Sequence, residues 1–326
     1  MKLGVIAALL AGLALAVFVL LHIGVGQVFE AVARVGWGGF ALICLSGLVG
    51  VQIFIGSAWY MLLGPTGVRW HVPVLARQLR DTASDLLPFT QVGGMVIGAR
   101  AVVLGGAQPV TAFSSMIVDV TTEVIGQIAF IVLGLAIGIT ELRASPAMAP
   151  YADAMIAGTV LLIPAVAAFI VLQRRGTQFA EKLAARMLPA AVRHTAAFTQ
   201  ALHAFYEKPL RLTFSAMFHL TGWVASGVWI WLIMRLLGAE VNVSSAIAIE
   251  ALLGALRTAT VFIPASVGIQ EAGYAALAPV FGMGPEIGLA VSLLKRARDV
   301  AVGVPVLLIW QALEGRRAFA RDKDEA

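Results

Sequence analysis

Residues 81–126 read DTASDLLPFTQVGGMVIGARAVVLGGAQPVTAFSSMIVDVTTEVIG. A proline-broken apolar run here precedes an apolar helix that carries two carboxylates, Asp119 and Glu123, at i,i+4 on one face. Pro88 must interrupt the helix, because its ring removes a backbone donor and clashes with the preceding turn. Thr90 is placed to cap a new helix running through Gly93 and Gly94 to Leu104. Each arm is too short to cross a bilayer, so 72–106 reads as a re-entrant hairpin with its tip near mid-membrane. Upstream of the break, Arg77, Asp81, Ser84 and Asp85 fall at i, i+4, i+7 and i+8, one polar stripe.

The pattern returns when the chain is shifted by 176 residues: Pro88 falls on Pro264, Thr90 on Ser266, Gly106 on Gly282, Pro109 on Pro285 and Glu123 on Asp299. Weak internal similarity of this kind is the mark of transporter repeats. The same shift sets Asp81 on Arg257 and Asp119 on Lys295, opposite charges that would pair if the halves face each other.

The 326 residues are 60% hydrophobic and only 13% charged, against about 25% charged in a soluble domain. With a mean hydropathy of +0.91 the class is a polytopic membrane protein. Helices are the expected spanning form, since lipid offers the backbone no partners and the runs lack the alternation of barrel strands. The net charge of +5 does not indicate nucleic acid, because the basic residues gather in loops beside helices, as membrane topology requires. Cys44 is the sole cysteine and reads as a packing residue, which excludes an intrachain disulfide. The five histidines are dispersed, no metal-ligand spacing occurs, and no phosphate-loop motif points to an ATP-driven pump. No cofactor or metal is expected.

One membrane domain over 1–326 is expected, all-α, with two inverted repeats that each contain a re-entrant hairpin. The predicted spans are 3–23, 37–63, 110–139, 152–172, 213–237 and 286–311, with Trp37 and Trp59-Tyr60 as interfacial anchors. Residues 24–36 read as a short connection. Arg69, Arg77 and Arg80 mark 64–82 as cytoplasmic, and seven basic residues mark 173–211 more strongly. Within that loop Phe179, Leu183 and Met187, then Phe198, Leu202 and Phe205, predict amphipathic helices on the inner leaflet. The first hairpin and its span occupy 72–139 and enter from the cytoplasm; the second, 245–311, enters from outside. Both termini are then cytoplasmic.

Asp119, Glu123, Glu250, Arg257, Glu271, Lys295, Arg298 and Asp299 all fall in or beside apolar segments. A charge at mid-bilayer costs at least about 2.5–3.5 kcal/mol, so these ions must be gathered. Two readings are open: mutual pairing that fixes helix register, or a polar cavity that takes an anionic headgroup. In the second, the helix starts at Thr90 and Ser266 offer free N–H groups, and Arg100, Arg257, Lys295 and Arg298 add positive charge.

The stretches LLPFTQVGGMVIGARAVVLGG (86–106), IVDVTTEVIGQIAF (117–130) and IPASVGIQEAGYAAL (263–277) resemble the lysylphosphatidylglycerol synthetase transmembrane (flippase-like) family, in its hopanoid-biosynthesis-associated bacterial branch. The resemblance implies an inner-membrane protein that binds or moves a lipid between leaflets. It singles out Pro88, Gly93, Gly94, Arg100, Asp119, Glu123, Pro264, Gly268 and Glu271. Larger relatives add a soluble aminoacyl-transferase domain, for which this sequence has no place after Ala326, so lysyl transfer and enzyme activity are not expected. The expected function is a lipid translocase or lipid-binding transporter with membrane lipids as partners. The alternative is a scaffold that holds hopanoid-biosynthesis proteins through 173–211.

Overall fold

A computed structural model describes residues 17–18, 21, 25–64, 66–86, 91–143, 195–260 and 266–324. Pro88, Thr90 and Pro264, most of the 3–23 span, the 152–172 span and residues 173–194 lie outside them. Among the described residues every regular element is helical: α1 (Val25–Gly47), a π-helical turn (Leu48–Gln52), α2 (Ile53–Leu63), α3 (His71–Leu86), α4 (Gln91–Leu104) and α5 (Pro109–Arg143), then α6 (Thr195–Tyr206), α7 (Pro209–Leu236), α8 (Val243–Ala259), α9 (Ile269–Val280) and α10 (Pro285–Asp324). Val32–Leu63, Pro109–Arg143 and Pro209–Leu236 are long and apolar enough to cross a membrane. Helix satisfies every backbone group within the segment, the condition lipid imposes.

The first hairpin closes on glycine. A Cβ on Gly94 would lie 2.1 Å from Ser84 Oγ and 2.5 Å from the Arg80 carbonyl oxygen, and one on Gly98 would lie 2.9 Å from Arg80 Cβ. These contacts set α4 antiparallel and close against α3. Lipid tails are as apolar as leucine, so close backbone approach rather than hydrophobic burial holds such a pair together. In the second hairpin, α9 follows Ser266 (φ 48) and Gly268 (φ 78), both left-handed.

The 176-residue shift holds at the level of element boundaries. α4 and α9 end at Leu104 and Val280, and α5 and α10 begin at Pro109 and Pro285. Gly106 and Gly282 share a left-handed backbone, φ 107 and φ 79. Contacts between the halves also recur: Gln127 on α5 donates to Thr258 on α8 at 3.0 Å. At the equivalent positions, Gly303 on α10 lies so close to Thr82 on α3 that a Cβ would meet Thr82 Cγ2 at 2.7 Å.

Helix directions follow from paired contacts. Thr122–Ser215 (2.8 Å) and the stacked Phe130–Trp223 rings (6.2 Å) set α7 parallel to α5. Glu141–Ser245 and Gln127–Thr258 set α8 antiparallel to α5. Gln270–Ser292 and the seat of Gly288 on the Tyr274 backbone set α9 antiparallel to α10, and Lys295 over Trp229 with Met283 in one cluster with Leu237 sets α10 antiparallel to α7 and so opposite to α5. Leu63, Val68 and Ala107 pack at one end of the bundle; Leu237, Ala239 and Met283 pack at the other.

Several expectations are corrected. Residues 25–35 are helical rather than a connection, and the break falls at Gly36 (φ 61, ψ 175). Trp59 is no interfacial anchor: it is buried and donates to Ser115 Oγ at 3.1 Å, whereas Trp37 is exposed as expected. Phe198, Leu202 and Phe205 of α6 pack on Leu62, Val118 and Leu212, so that apolar face meets protein rather than the leaflet. Arg77 and Arg80, counted as cytoplasmic charge, are buried at 3% and 4% exposure because α5 supplies their carboxylates.

Gly98→Leu is expected to destabilise the protein by about 1–3 kcal/mol through overpacking of α4 on α3. Reversible unfolding in mild detergent checks this, with Gly38→Leu, where a Cβ meets nothing within 4 Å, expected to change little.

Candidate functional site

Among the described residues two closed ion networks lie inside the bundle, one built on each hairpin and the long helix after it. In the first, Asp119 on α5 is fully buried. Its Oδ2 accepts from Arg77 and Arg80 of α3, both at 3.2 Å, and its Oδ1 lies 3.0 Å from His219 Nε2 of α7. Glu123, one turn along α5, takes the other arms of the same guanidiniums, at 2.5 Å from Arg77 and 2.9 Å from Arg80. Asp81 closes the set through Arg77 Nε at 3.0 Å and the Gln52 amide at 3.1 Å. The π-helical turn delivers that amide, since a wider turn shifts the phase of the residues it carries.

In the second network Glu250 of α8 accepts from Lys295 of α10 at 2.9 Å and from Ser226 of α7 at 2.9 Å, and it also binds the Tyr274 hydroxyl of α9. Lys295 reaches that hydroxyl at 2.8 Å and stands over the Tyr274 and Trp229 rings at 5.2 and 5.7 Å, where the ring quadrupole favours a cation. α7 serves both networks, with His219 and Ser226 seven residues apart on one face. The polarity is exchanged between halves: the first has bases on the hairpin and acids on the long helix, the second the reverse.

The pairings Asp81–Arg257 and Asp119–Lys295 are therefore not formed. Asp81 and Asp119 take Arg77 and Arg80 instead, and Lys295 takes Glu250. Arg100 is also corrected: it is 46% exposed and pairs with Glu314 of α10 at 2.9 Å, away from both networks. Nor is the start of α9 an open anion site. Glu271 turns back on it, accepting from the Gly268 N–H at 2.8 Å and pairing with Arg296, whose Nη2 also donates to the Ser266 carbonyl at 3.3 Å. An internal carboxylate stands where a ligand anion would sit. Gly94 serves the hairpin crossing, and Gly268 caps α9.

Two further ions stand outside both networks. Asp85, at the end of α3, and Arg257, near the end of α8, are both half-buried and within electrostatic reach of each other and of Asp299. Among the described residues neither Asp85 nor Arg257 forms an ion pair, which means that more than 4.0 Å separates them. Asp299 pairs with Arg298 at 3.0 Å, and Arg298 Nε is buried without an acceptor among the described residues. Among the described residues no His, Cys, Asp and Glu group is arranged to hold a metal.

Sequence reasoning missed Arg77, Arg80, His219, Tyr274 and Arg296 as members of these clusters. For Arg77 and Arg80 the available signal was their i,i+3 spacing beside Asp81 on a helix with an apolar back. Asp119→Ala is expected to cost about 3–5 kcal/mol, because one arm of each of two buried guanidiniums and the buried His219 lose their carboxylate partner. Arg100→Ala is expected to cost no more than about 1 kcal/mol, the range of exposed pairs. Unfolding of both variants in the same detergent checks the contrast.

Residues 5–306 match the family model described as the lysylphosphatidylglycerol synthase TM region. No curated protein and no solved structure matches the chain. With 5–306 of its 326 residues matched, the chain belongs to the lysylphosphatidylglycerol synthase transmembrane family and is an integral membrane protein with a membrane-lipid function.

Proposed function

We propose that the protein is a lipid translocase of the bacterial cytoplasmic membrane, working by non-covalent passage of a charged headgroup along the cleft between its two hairpin ends. The observation that carries this reading is the pair Asp85 and Arg257: opposite charges on the last turns of α3 and α8, half-buried, within electrostatic reach of one another and without an ion pair among the described residues. Buried structural ions pair wherever they can, as the two closed networks do. Ions left open beside hydrocarbon are explained by a guest that completes them.

The opposed directions of α5 and α10 and the recurrence of contacts at the 176-residue shift support inverted repeats. In such a frame one hairpin enters from each side of the membrane, and the guest site lies where they meet. The bundle end holding 64–70, 105–108 and 207–208 faces the cytoplasm, and both termini lie on that side. The acyl tails stay in lipid while the headgroup follows the ions. This favours a charged or polar-headed cargo, including a polar-headed hopanoid, over a bare hopanoid skeleton.

Purified protein in liposomes is expected to accelerate leaflet exchange of a headgroup-labelled phospholipid, and Arg257→Gln to slow that exchange about tenfold or more, the equivalent of at least 1.4 kcal/mol. Equal exchange with and without protein removes the translocase. In a Cys44→Ser background, a cysteine at Thr66 is expected to label only from the cytoplasmic side and one at Val243 only from outside. The reverse pattern overturns the orientation.

A further inference from the structure

We propose that the first network is a proton-binding site and that His219 takes the proton at Nδ1. Among the described residues three carboxylates, Asp81, Asp119 and Glu123, are set there against two guanidiniums, Arg77 and Arg80. Elsewhere one acid meets one base: Glu250 with Lys295, Glu271 with Arg296, Asp299 with Arg298 and Glu314 with Arg100. A buried cluster one cation short is costly beside hydrocarbon, and a proton is the smallest ion that makes up the difference.

Bond geometry decides which group takes it. An ionised carboxylate only accepts, so His219 Nε2 carries the hydrogen that bonds Asp119 Oδ1 at 3.0 Å. The His219 side chain is fully buried, and its Nδ1 has no partner among the described residues. The Nδ1 lone pair forms the new N–H bond with a proton from the aqueous phase, and every bond of the network stays in place. The carboxylates offer no such position. Asp119 accepts from two guanidiniums at Oδ2 and from His219 at Oδ1. Glu123 gives one oxygen to each guanidinium, and Asp81 accepts from Arg77 at both oxygens and from Gln52 at Oδ2. A proton on any of these oxygens competes with a donor already bound.

The charged groups around His219 are those in the count, from α5 and α3. Among the other helices packed on α7, Glu250 of α8 and Lys295 of α10 are paired beside Ser226, two turns farther along α7. Glu30 and Arg34 of α1 are exposed, α2 carries no charged residue, and Tyr206 of α6 meets Thr121.

The test is nitrogen NMR of the full-length protein in phospholipid bilayers, isotope-labelled at histidine, in a His22→Gln/His71→Gln/His194→Gln/His203→Gln background that leaves one ring. The two ring nitrogens resonate together when both carry protons and far apart in the neutral ring, so a pH titration reads the proton on His219 directly. Glu123→Gln sets two acids against two bases and is expected to weaken proton binding about tenfold or more, although none of the bonds of Glu123 goes to His219. Asp81→Asn, at an edge position 30% exposed, is expected to weaken it too, and Arg80→Gln to strengthen it. A ring that stays neutral at every pH where the protein is folded overturns the proposal, as does a titration that Glu123→Gln and Asp81→Asn leave unmoved. The site stands whether or not the protein moves lipid, because the readout is the ring itself.

Discussion

Ionised groups inside a hydrocarbon layer must be answered by other ions, and the fold is arranged to answer them. Asp119 collects two guanidiniums and an imidazole from two other helices. Glu250 collects an ammonium and two hydroxyls from three. These bonds fix the rotation of α3, α5, α7, α8, α9 and α10, because each helix has one phase that presents its polar residue inward. In water an apolar core sets such phases. Here lipid surrounds the bundle, so packing of small residues and ion bonding take over that role.

The fold class was legible because lipid leaves a chain so few options. Apolar runs of sufficient length become helices, and the breaks at Gly106 and Gly282 fall where the repeat put them. Ion partners were not legible. Arg77 meets Glu123 from 46 positions away and Asp119 meets His219 from 100, distances over which periodicity carries nothing. Counting arginines as cytoplasmic markers misplaced Arg77 and Arg80, since the count cannot tell a loop cation from one turned inward on a short helix. Arg100 went the other way: its hairpin is interior, but its helical phase points out toward Glu314.

Glu271 shows how a local rule can outrank a functional guess. It stands three residues after Gly268 at a helix start, the place where an acidic side chain serves its own backbone. Read as a ligand for cargo, it seemed to add to the site. Read as a cap, it closes α9 on its own backbone.

The tie of α7 to both halves restricts how the molecule can move. His219 holds Asp119 on one side and Ser226 holds Glu250 on the other, so a wholesale slide of one half past its counterpart would tear a dry bond at the centre. α7 is then a fixed spine between the halves, the one helix whose displacement breaks a bond in each network at once.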